Sequence, residues 1–239
     1  MEPASMSGSP NHRLLLFDID GTLLDTGGAG AGALLDAAED VLQVRREHLP
    51  PLDLAGATDG GVLRKLFADA GQPLDPDRVE AYYASYLGHL QRRVRHEEFA
   101  GRLLGGVVDL LEQVSQESRF SVGLLTGNIR RGAVIKLERF GIHGHFLDGG
   151  FGDDGEDRNH LGPVAVRRMA QAAQRHFTPE QVIVIGDTPR DVACAHAMGA
   201  RCLAVATGKF DHASLQTLGA WRVEENLHDA ARLIEAFAA

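Results

Sequence analysis

The chain has 239 residues, of which 44% are hydrophobic and 24% are charged, proportions typical of a globular protein rather than of a disordered or collagen-like one. Its 33 acidic residues outnumber the 24 lysines and arginines, and the net charge of -9 argues against a protein whose main task is to neutralise nucleic-acid phosphates. No apolar run approaches the roughly 20 residues of a membrane helix, and two cysteines are too few for a disulfide scaffold.

Residues 1–11 are small and polar, and they predict a disordered tail. This segment has neither a basic start nor an apolar core, so it does not resemble a signal peptide. We therefore expect a cytoplasmic protein with reduced thiols.

Five short apolar runs predict the strands of a parallel sheet, because they lack the alternation of strands that face water on one side. The first lies in RLLLFDIDGT and ends abruptly in acidic residues; the others span residues 120–125, 145–151, 182–185 and 201–206. Helix-like patterns separate them, over residues 106–116, 132–140, 163–177 and 191–198. This alternation predicts an α/β fold with a doubly wound parallel sheet and right-handed crossovers.

One long segment contains no buried-strand run. Between residues 27 and 101 we find only helix-like patterns, at residues 31–42, 60–70 and 76–95. We therefore predict an all-helical cap domain over residues 27–101. It would be inserted after the first strand of a Rossmann-like catalytic core that comprises residues 12–26 and 102–239.

Polar residues follow the predicted strands at the points where the strands end. Ligands bind at the carboxyl ends of the strands in open parallel sheets, so we expect these loops to form one site. Two acids at the end of a buried apolar strand are costly without a function, whereas a Thr-Gly-Asn turn or a helix cap would be ordinary by itself. The residues are Asp18, Asp20, Gly21 and Thr22 in the first loop, Thr126, Gly127 and Asn128 in the second, Arg158 in the third, and Gly186, Asp187, Thr188 and Asp191 in the fourth.

The segments FDIDGTLLDT, LLTGN and VIGDTPRD, in this order and with a helical insertion after the first, resemble the haloacid dehalogenase-like hydrolase superfamily. The resemblance is to its phosphoglycolate phosphatase-like branch, which has a small helical cap, and it spans residues 13–208. It implies a phosphatase that forms an aspartyl-phosphate intermediate.

The resemblance also implies roles for the acidic residues. Asp18 would be the nucleophile, and Asp20 would protonate the leaving oxygen and then activate the hydrolytic water. Hard oxygen ligands for Mg²⁺ would come from Asp18, the backbone carbonyl of Asp20 and Asp187. Asp191 would hold a metal-bound water or orient the site.

Phosphate would be bound by Thr126, by the adjacent backbone of Gly127 and by Asn128. The family usually places a lysine, in a Lys-Pro pair, ahead of the helix that precedes GDxxxD, but here that stretch reads GEDRNHLGP. Arg158 is the basic residue at that place, and a guanidinium can hold phosphate through two parallel hydrogen bonds. Lys136, within the helix-like GAVIKLERF, is the alternative cation.

We therefore expect a Mg²⁺-dependent phosphatase whose substrate is a small phosphorylated metabolite, phosphoglycolate-like or a sugar phosphate. We expect neither a nucleic acid nor a membrane as a partner, and a monomer or weak homodimer as the assembly. One alternative is a β-phosphoglucomutase-like phosphosugar mutase, which would keep the same acids and metal site. The other is a non-catalytic regulator that binds a phosphorylated ligand, although such a protein would not need Asp18, Asp20 and Asp187 together.

Overall fold

The computed structural model describes residues 12–49 and 51–239, so the tail predicted over residues 1–11 lies outside the described residues. The strands are β1 (Arg13–Phe17), β2 (Leu24–Asp25), β3 (Arg102–Leu103), β4 (Phe120–Leu125), β5 (Gly149–Gly150), β6 (Val182–Gly186), β7 (Arg201–Val205) and β8 (Arg222–Glu224). Six of them form a parallel sheet in the order β5-β4-β1-β6-β7-β8. The central strand β1 therefore lies between β4 and β6.

The helices are α1 (Ala29–Leu42), α2 (Asp59–Asp69), α3 (Pro76–Arg95), α4 (Val107–Gln116), α5 (Arg130–Arg139), α6 (Arg158–Ala172), α7 (Pro189–Ala197), α8 (His212–Gln216) and α9 (Ala230–Ala238). Short 3₁₀ turns occur at Arg46–His48, His143–His145 and Pro179–Gln181. Within the described ranges, none of the helices is both long and apolar enough to cross a membrane.

Both faces of the sheet are covered by helices. Strand β1 shows this most clearly, because successive side chains of a strand point to opposite faces. Leu14 and Leu16 pack into one core with α6, α7 and α8, whereas Leu15 and Phe17 pack into the other with α4, α5 and α9. The predicted doubly wound parallel sheet is confirmed.

The helices α1, α2 and α3 form a separate hydrophobic core between β1 and α4 in the chain. Tyr82 and Tyr86 are fully buried in this core, and the Tyr82 hydroxyl donates to the carbonyl of Leu34 at 2.9 Å. The all-helical insertion is thereby confirmed.

The chain enters and leaves the helical unit through a two-stranded antiparallel ladder. Leu24 pairs with Leu103, and Asp25 pairs with Arg102. The ladder lies just outside the predicted cap boundaries, residues 27–101, which remain a prediction.

Several element boundaries differ from the sequence-based expectations. The strand expected at residues 145–151 is reduced to Gly149–Gly150, because His143–His145 form a 3₁₀ turn instead. The helix expected to begin at Pro163 begins at Arg158, where Asp157 caps its first turn by accepting from the Asn159 N–H at 2.9 Å. Pro163 is thus tolerated inside the helix. We did not predict β8, α8 or α9.

Candidate active site

A cavity of about 540 Å³ opens at the carboxyl edge of the sheet, between the sheet and the helical unit. The loops after β1, β4, β6 and β7 contribute to its wall, together with residues 54–57 of the helical unit and with Arg158 at the start of α6. The carboxyl ends of four neighbouring strands therefore converge on one space, as the parallel topology requires.

Asp18 lies directly after β1 and is buried beside a guanidinium. Its backbone N–H donates to the carbonyl of Ile185 at 2.9 Å, which fixes the loop against β6. Arg158 Nη2 lies 3.0 Å from Asp18 Oδ1, and the same nitrogen donates to Asp191 Oδ1 at 2.5 Å. Burial alone would lower the pKa of Arg158, but the carboxylates of Asp18 and Asp191 outweigh that effect and raise it.

Asp187 follows β6 and is confined by two glycines. A Cβ at Gly208 would lie 1.7 Å from Asp187 Oδ2, and one at Gly21 would lie 2.4 Å from the same oxygen. Gly21 also has a φ of +85°, a conformation that glycine adopts without strain. The Thr22 hydroxyl donates to Asp187 Oδ1 at 3.2 Å. The DxDGT loop thus fixes Asp187 as well as presenting its own acids.

Asp191, in the first turn of α7, has both carboxylate oxygens engaged. Oδ1 accepts from Arg158, and Oδ2 accepts from the Thr188 backbone N–H at 3.0 Å and from its hydroxyl at 2.6 Å. Asp191 therefore caps α7 and also contacts Arg158. Oδ1 keeps a second acceptor position, so the choice between a direct metal ligand and an orienting residue stays a prediction for Asp191.

Three buried carboxylates are crowded together: oxygens of Asp18, Asp187 and Asp191 lie within 4.8 Å of one another. Burial, together with the neighbouring acids, raises the pKa of Asp18 and of Asp187. The single guanidinium of Arg158 offsets this negative charge only in part. Because hard divalent cations prefer oxygen ligands and would offset the remainder, these residues fit such a metal.

Asp20 lies apart from this carboxylate group. Its Oδ2 accepts from the Asn128 side-chain amide at 2.8 Å and from Lys136 Nζ at 2.6 Å. Lys136 also donates to Asn128 Oδ1 at 2.6 Å, and Asn128 Nδ2 donates to Thr126 Oγ1 at 2.8 Å. The backbone carbonyl of Asp20 as a metal ligand stays a prediction.

The two candidate cations thus serve different acids. Arg158 contacts Asp18 and lines the cavity, as the motif comparison predicted for the phosphate-binding residue. Lys136 contacts Asp20 and is not part of the cavity wall described here. Its position was not apparent from GAVIKLERF, because Lys136 reaches the site from the buried face of α5.

Thr126 and Gly127 follow β4 as predicted, and the helical unit docks on this loop. Asp59, the first residue of α2, donates its backbone N–H to the Gly127 carbonyl at 2.7 Å. Its carboxylate accepts from the Ile129 N–H at 2.9 Å. A Cβ at Gly127 would lie 1.9 Å from the Ala57 carbonyl oxygen, so only glycine permits this approach.

Sequence reasoning missed two parts of the site. The first is Asp59, which lies in the predicted helical insertion and not directly after a predicted strand. The second is the loop after β7, where the Thr207 hydroxyl donates to the Gly21 carbonyl at 2.6 Å and Gly208 and Lys209 line the cavity. Thr-Gly-Lys after a buried strand was an available signal, since it occupies the same edge as the other loops.

A family model for haloacid dehalogenase-like hydrolases matches residues 15–196 of the chain. The chain is 27% identical over 221 residues to a phosphoglycolate phosphatase of Chromobacterium violaceum, covering 87% of this chain and 90% of that protein. It is 27% identical over 202 residues to an N-acetylmuramic acid 6-phosphate phosphatase of Pseudomonas aeruginosa, covering 82% of each chain.

The fold is also similar to that of solved structures. A hydrolase from Pseudomonas syringae superposes with a TM-score of 0.69 at 22% identity, covering 95% of this chain and all of the other. At this identity the likeness concerns the fold, and it extends over the sheet and the helical insertion together.

Proposed function

The chain belongs to the haloacid dehalogenase-like hydrolases, and from this premise we propose that it is a divalent-metal-dependent phosphatase that hydrolyses a small phosphomonoester through an aspartyl-phosphate at Asp18. The expectation of a hydrolase acting on phosphoric monoesters is confirmed by the family match and by the phosphatases among its relatives. The observation that carries the proposed mechanism is the arrangement of Asp18. It is a buried carboxylate at the cavity, beside one cation and two further acids.

In the first chemical step, a carboxylate oxygen of Asp18 attacks phosphorus, and the bond between phosphorus and the leaving oxygen breaks. Asp20 donates its proton to that oxygen, which departs as an alcohol. In the second step water attacks phosphorus, Asp20 takes a proton from the water, and the bond to Asp18 breaks with release of inorganic phosphate. Asp20 regains in this second step the proton it lost in the first.

The remaining residues bind and orient. Arg158 would contact the phosphate while holding Asp18 and Asp191 in place, and Thr126 with the backbone of Gly127 would bind further phosphate oxygens. Asp18, Asp187 and the backbone carbonyl of Asp20 would hold a cation such as Mg²⁺, which when bound offsets the negative charge shared by the phosphate and the acids.

The cavity and the relatives support a proposal for the substrate class. A volume of about 540 Å³ suits a small metabolite rather than a macromolecule. Residues 54–57, Arg102 and Lys209 line the part that the leaving group would enter. We propose a phosphoglycolate-like acid or a sugar phosphate, the two kinds of substrate named for the relatives.

The test is phosphate release from a panel of small phosphomonoesters, with and without Mg²⁺, by the wild type and by Asp18→Asn. We expect Mg²⁺-dependent release that the substitution abolishes while the folded protein persists, as measured by circular dichroism. Near-normal turnover by Asp18→Asn would refute the nucleophile assignment. Release of no phosphate from any ester would refute the phosphatase proposal.

A further inference from the structure

Lys136 is a buried ammonium group with no role in the mechanism above. It is 4% exposed, and charged side chains are rarely buried to this extent unless they are paired. Its partners are Asp20 Oδ2 and Asn128 Oδ1, each at 2.6 Å from Nζ. The ammonium group therefore lies against the acid–base residue, and Lys136 itself does not line the cavity.

The two donors to Asp20 converge on one of its two oxygens. Lys136 Nζ and Asn128 Nδ2 both donate to Oδ2, at 2.6 and 2.8 Å. Across residues 12–49 and 51–239, Oδ1 of Asp20 accepts no side-chain hydrogen bond. A carboxylate held in this way has one oxygen fixed by the protein and the other left for proton exchange.

The helical unit covers Lys136 from above. A Cβ on Gly30, in the first turn of α1, would lie 3.1 Å from Nζ, so the absence of a side chain there gives the ammonium its space. The carboxylate of Asp59 also acts on it from α2, as the effect of Lys136 on the Asp59 pKa shows. At 4% exposure and outside the cavity lining, Lys136 has little surface to offer a substrate phosphate.

We infer that Lys136 is a positioning residue: together with Asn128 it holds Oδ2 of Asp20, so that Oδ1 exchanges the proton with the leaving oxygen and then with water. This inference rests on the proposed phosphatase function and deepens it. It differs from the phosphate-binding role considered for Lys136 above, because Lys136 acts through Asp20 and not on the substrate. The proton passes from Asp20 Oδ1 to the leaving oxygen as its bond to phosphorus breaks.

The two roles make different predictions for different leaving groups. An alkyl phosphate needs a proton on its leaving oxygen, whereas 2,4-dinitrophenyl phosphate releases a stable phenolate without one. The value of kcat/KM reports the steps up to the departure of this group, so it isolates the action of Asp20 as an acid. A residue that binds phosphate would affect both esters alike.

The experiment compares Lys136→Met with wild type on the best alkyl phosphate of the panel and on 2,4-dinitrophenyl phosphate. We expect kcat/KM for the alkyl ester to fall by roughly 10²-fold or more, the range that general acid catalysis contributes, and for the aryl ester by less than about 10-fold. The aryl ester should also show a burst of phenolate, because activation of water by Asp20 is impaired. Arg131→Gln, which removes an exposed charge from the same helix, should leave kcat/KM unchanged for both esters.

An equal loss on both esters by folded Lys136→Met would overturn the inference and return Lys136 to phosphate binding. If Lys136→Met does not fold, as judged by its thermal unfolding, Asn128→Ala removes the other donor to Oδ2 and is judged by the same ratio of the two esters. A wild type that hydrolyses neither ester would instead refute the proposed function, so the two failures are distinguishable.

Discussion

Arg158 Nη2 lies 3.0 Å from Asp18 Oδ1, and this one nitrogen also donates to Asp191 Oδ1 at 2.5 Å and to the Leu125 carbonyl at 2.9 Å. The Nε of the same guanidinium has no partner among the described residues, although it is buried. An arginine here therefore ties two acids to the end of β4.

Replacing Arg158 by lysine tests whether the several directed N–H donors of the guanidinium are needed, or only its positive charge. We expect Arg158→Lys to lower kcat/KM by about 10²–10³-fold, because an ammonium cannot reproduce the directed contacts to two acids and a phosphate. In contrast to Lys136→Met, the loss should be the same for alkyl and aryl esters. Kinetics on both ester classes provide the measurement, and a loss confined to alkyl esters would contradict the assignment.

If Asp187 is a metal ligand, its replacement should change how the thermal stability of the protein responds to Mg²⁺. Since burial and the neighbouring acids raise its pKa, ionised Asp187 destabilises the metal-free fold, and Asp187→Asn should raise Tm in the presence of a chelator. Added Mg²⁺ should stabilise the wild type, by about 2.7 kcal/mol at a hundred times its Kd, and leave Asp187→Asn nearly unchanged. Thermal unfolding with and without Mg²⁺ measures both effects. An equal response of the two proteins would exclude Asp187 as a ligand.

We expect the docking of α2 on the loop after β4 to depend on pH through Asp59. Burial raises its pKa to about 6, so the folded state binds this proton more tightly than the unfolded state does. The stabilisation is complete below the unfolded pKa and is lost as pH rises through about 6. Asp59→Asn stays uncharged and keeps an acceptor for the Ile129 N–H.

The free energy of unfolding of Asp59→Asn relative to wild type should therefore be higher at pH 7 than at pH 4.5, by about 2 kcal/mol. Urea unfolding of both metal-free proteins at the two pH values gives this difference, in which the other titrating acids cancel. A difference that is independent of pH would show that Asp59 keeps an ordinary pKa.

Gly208 is expected to control the position of Asp187. A Cβ there would lie 1.7 Å from Asp187 Oδ2, so Gly208→Ala must displace that carboxylate. We expect a loss of about 10²-fold in kcat/KM, the size that follows from moving a catalytic group by about 1 Å. Gly144→Ala is the matched control, because a Cβ at Gly144 meets no atom within 4 Å. Similar kcat/KM values for Gly208→Ala and Gly144→Ala would mean that activity does not depend on the position of the Asp187 carboxylate.

The sequence-based predictions succeeded where a short stretch of neighbouring residues carried the whole pattern of a strand or helix. The run RLLLF followed by two acidic residues is by itself enough to predict a buried strand with a polar end. Strand β1 and Asp18 lie where this pattern predicts them. Strand β8 is a three-residue edge strand that contains Arg222 and Glu224, so its pattern is too short and polar to predict. In α9 the spacing of Leu233, Ile234 and Phe237 was an available helical signal that we did not use.

The contacts of Lys136 and Asp59 could not be read from the sequence, for a different reason. Each acts on a residue that is distant in the chain: Lys136 is 116 positions from Asp20, and Asp59 is 70 positions from Ile129. Such pairings are decided by how α5 packs against the loop after β1 and how α2 packs against the loop after β4. A lone charged residue within a helical pattern does not distinguish a solvated side chain from a buried one.

The pairing of Leu24 with Leu103 means that the helical unit branches from the core through a single narrow neck. The two chain crossings are held roughly 5 Å apart whatever lies between them, as in any antiparallel pair. The length and composition of the helical unit can therefore vary between related sequences without distorting the sheet. Under the proposed function, sequence changes in the helical unit could alter which leaving group the cavity accepts while the residues at the edge of the sheet stay in place.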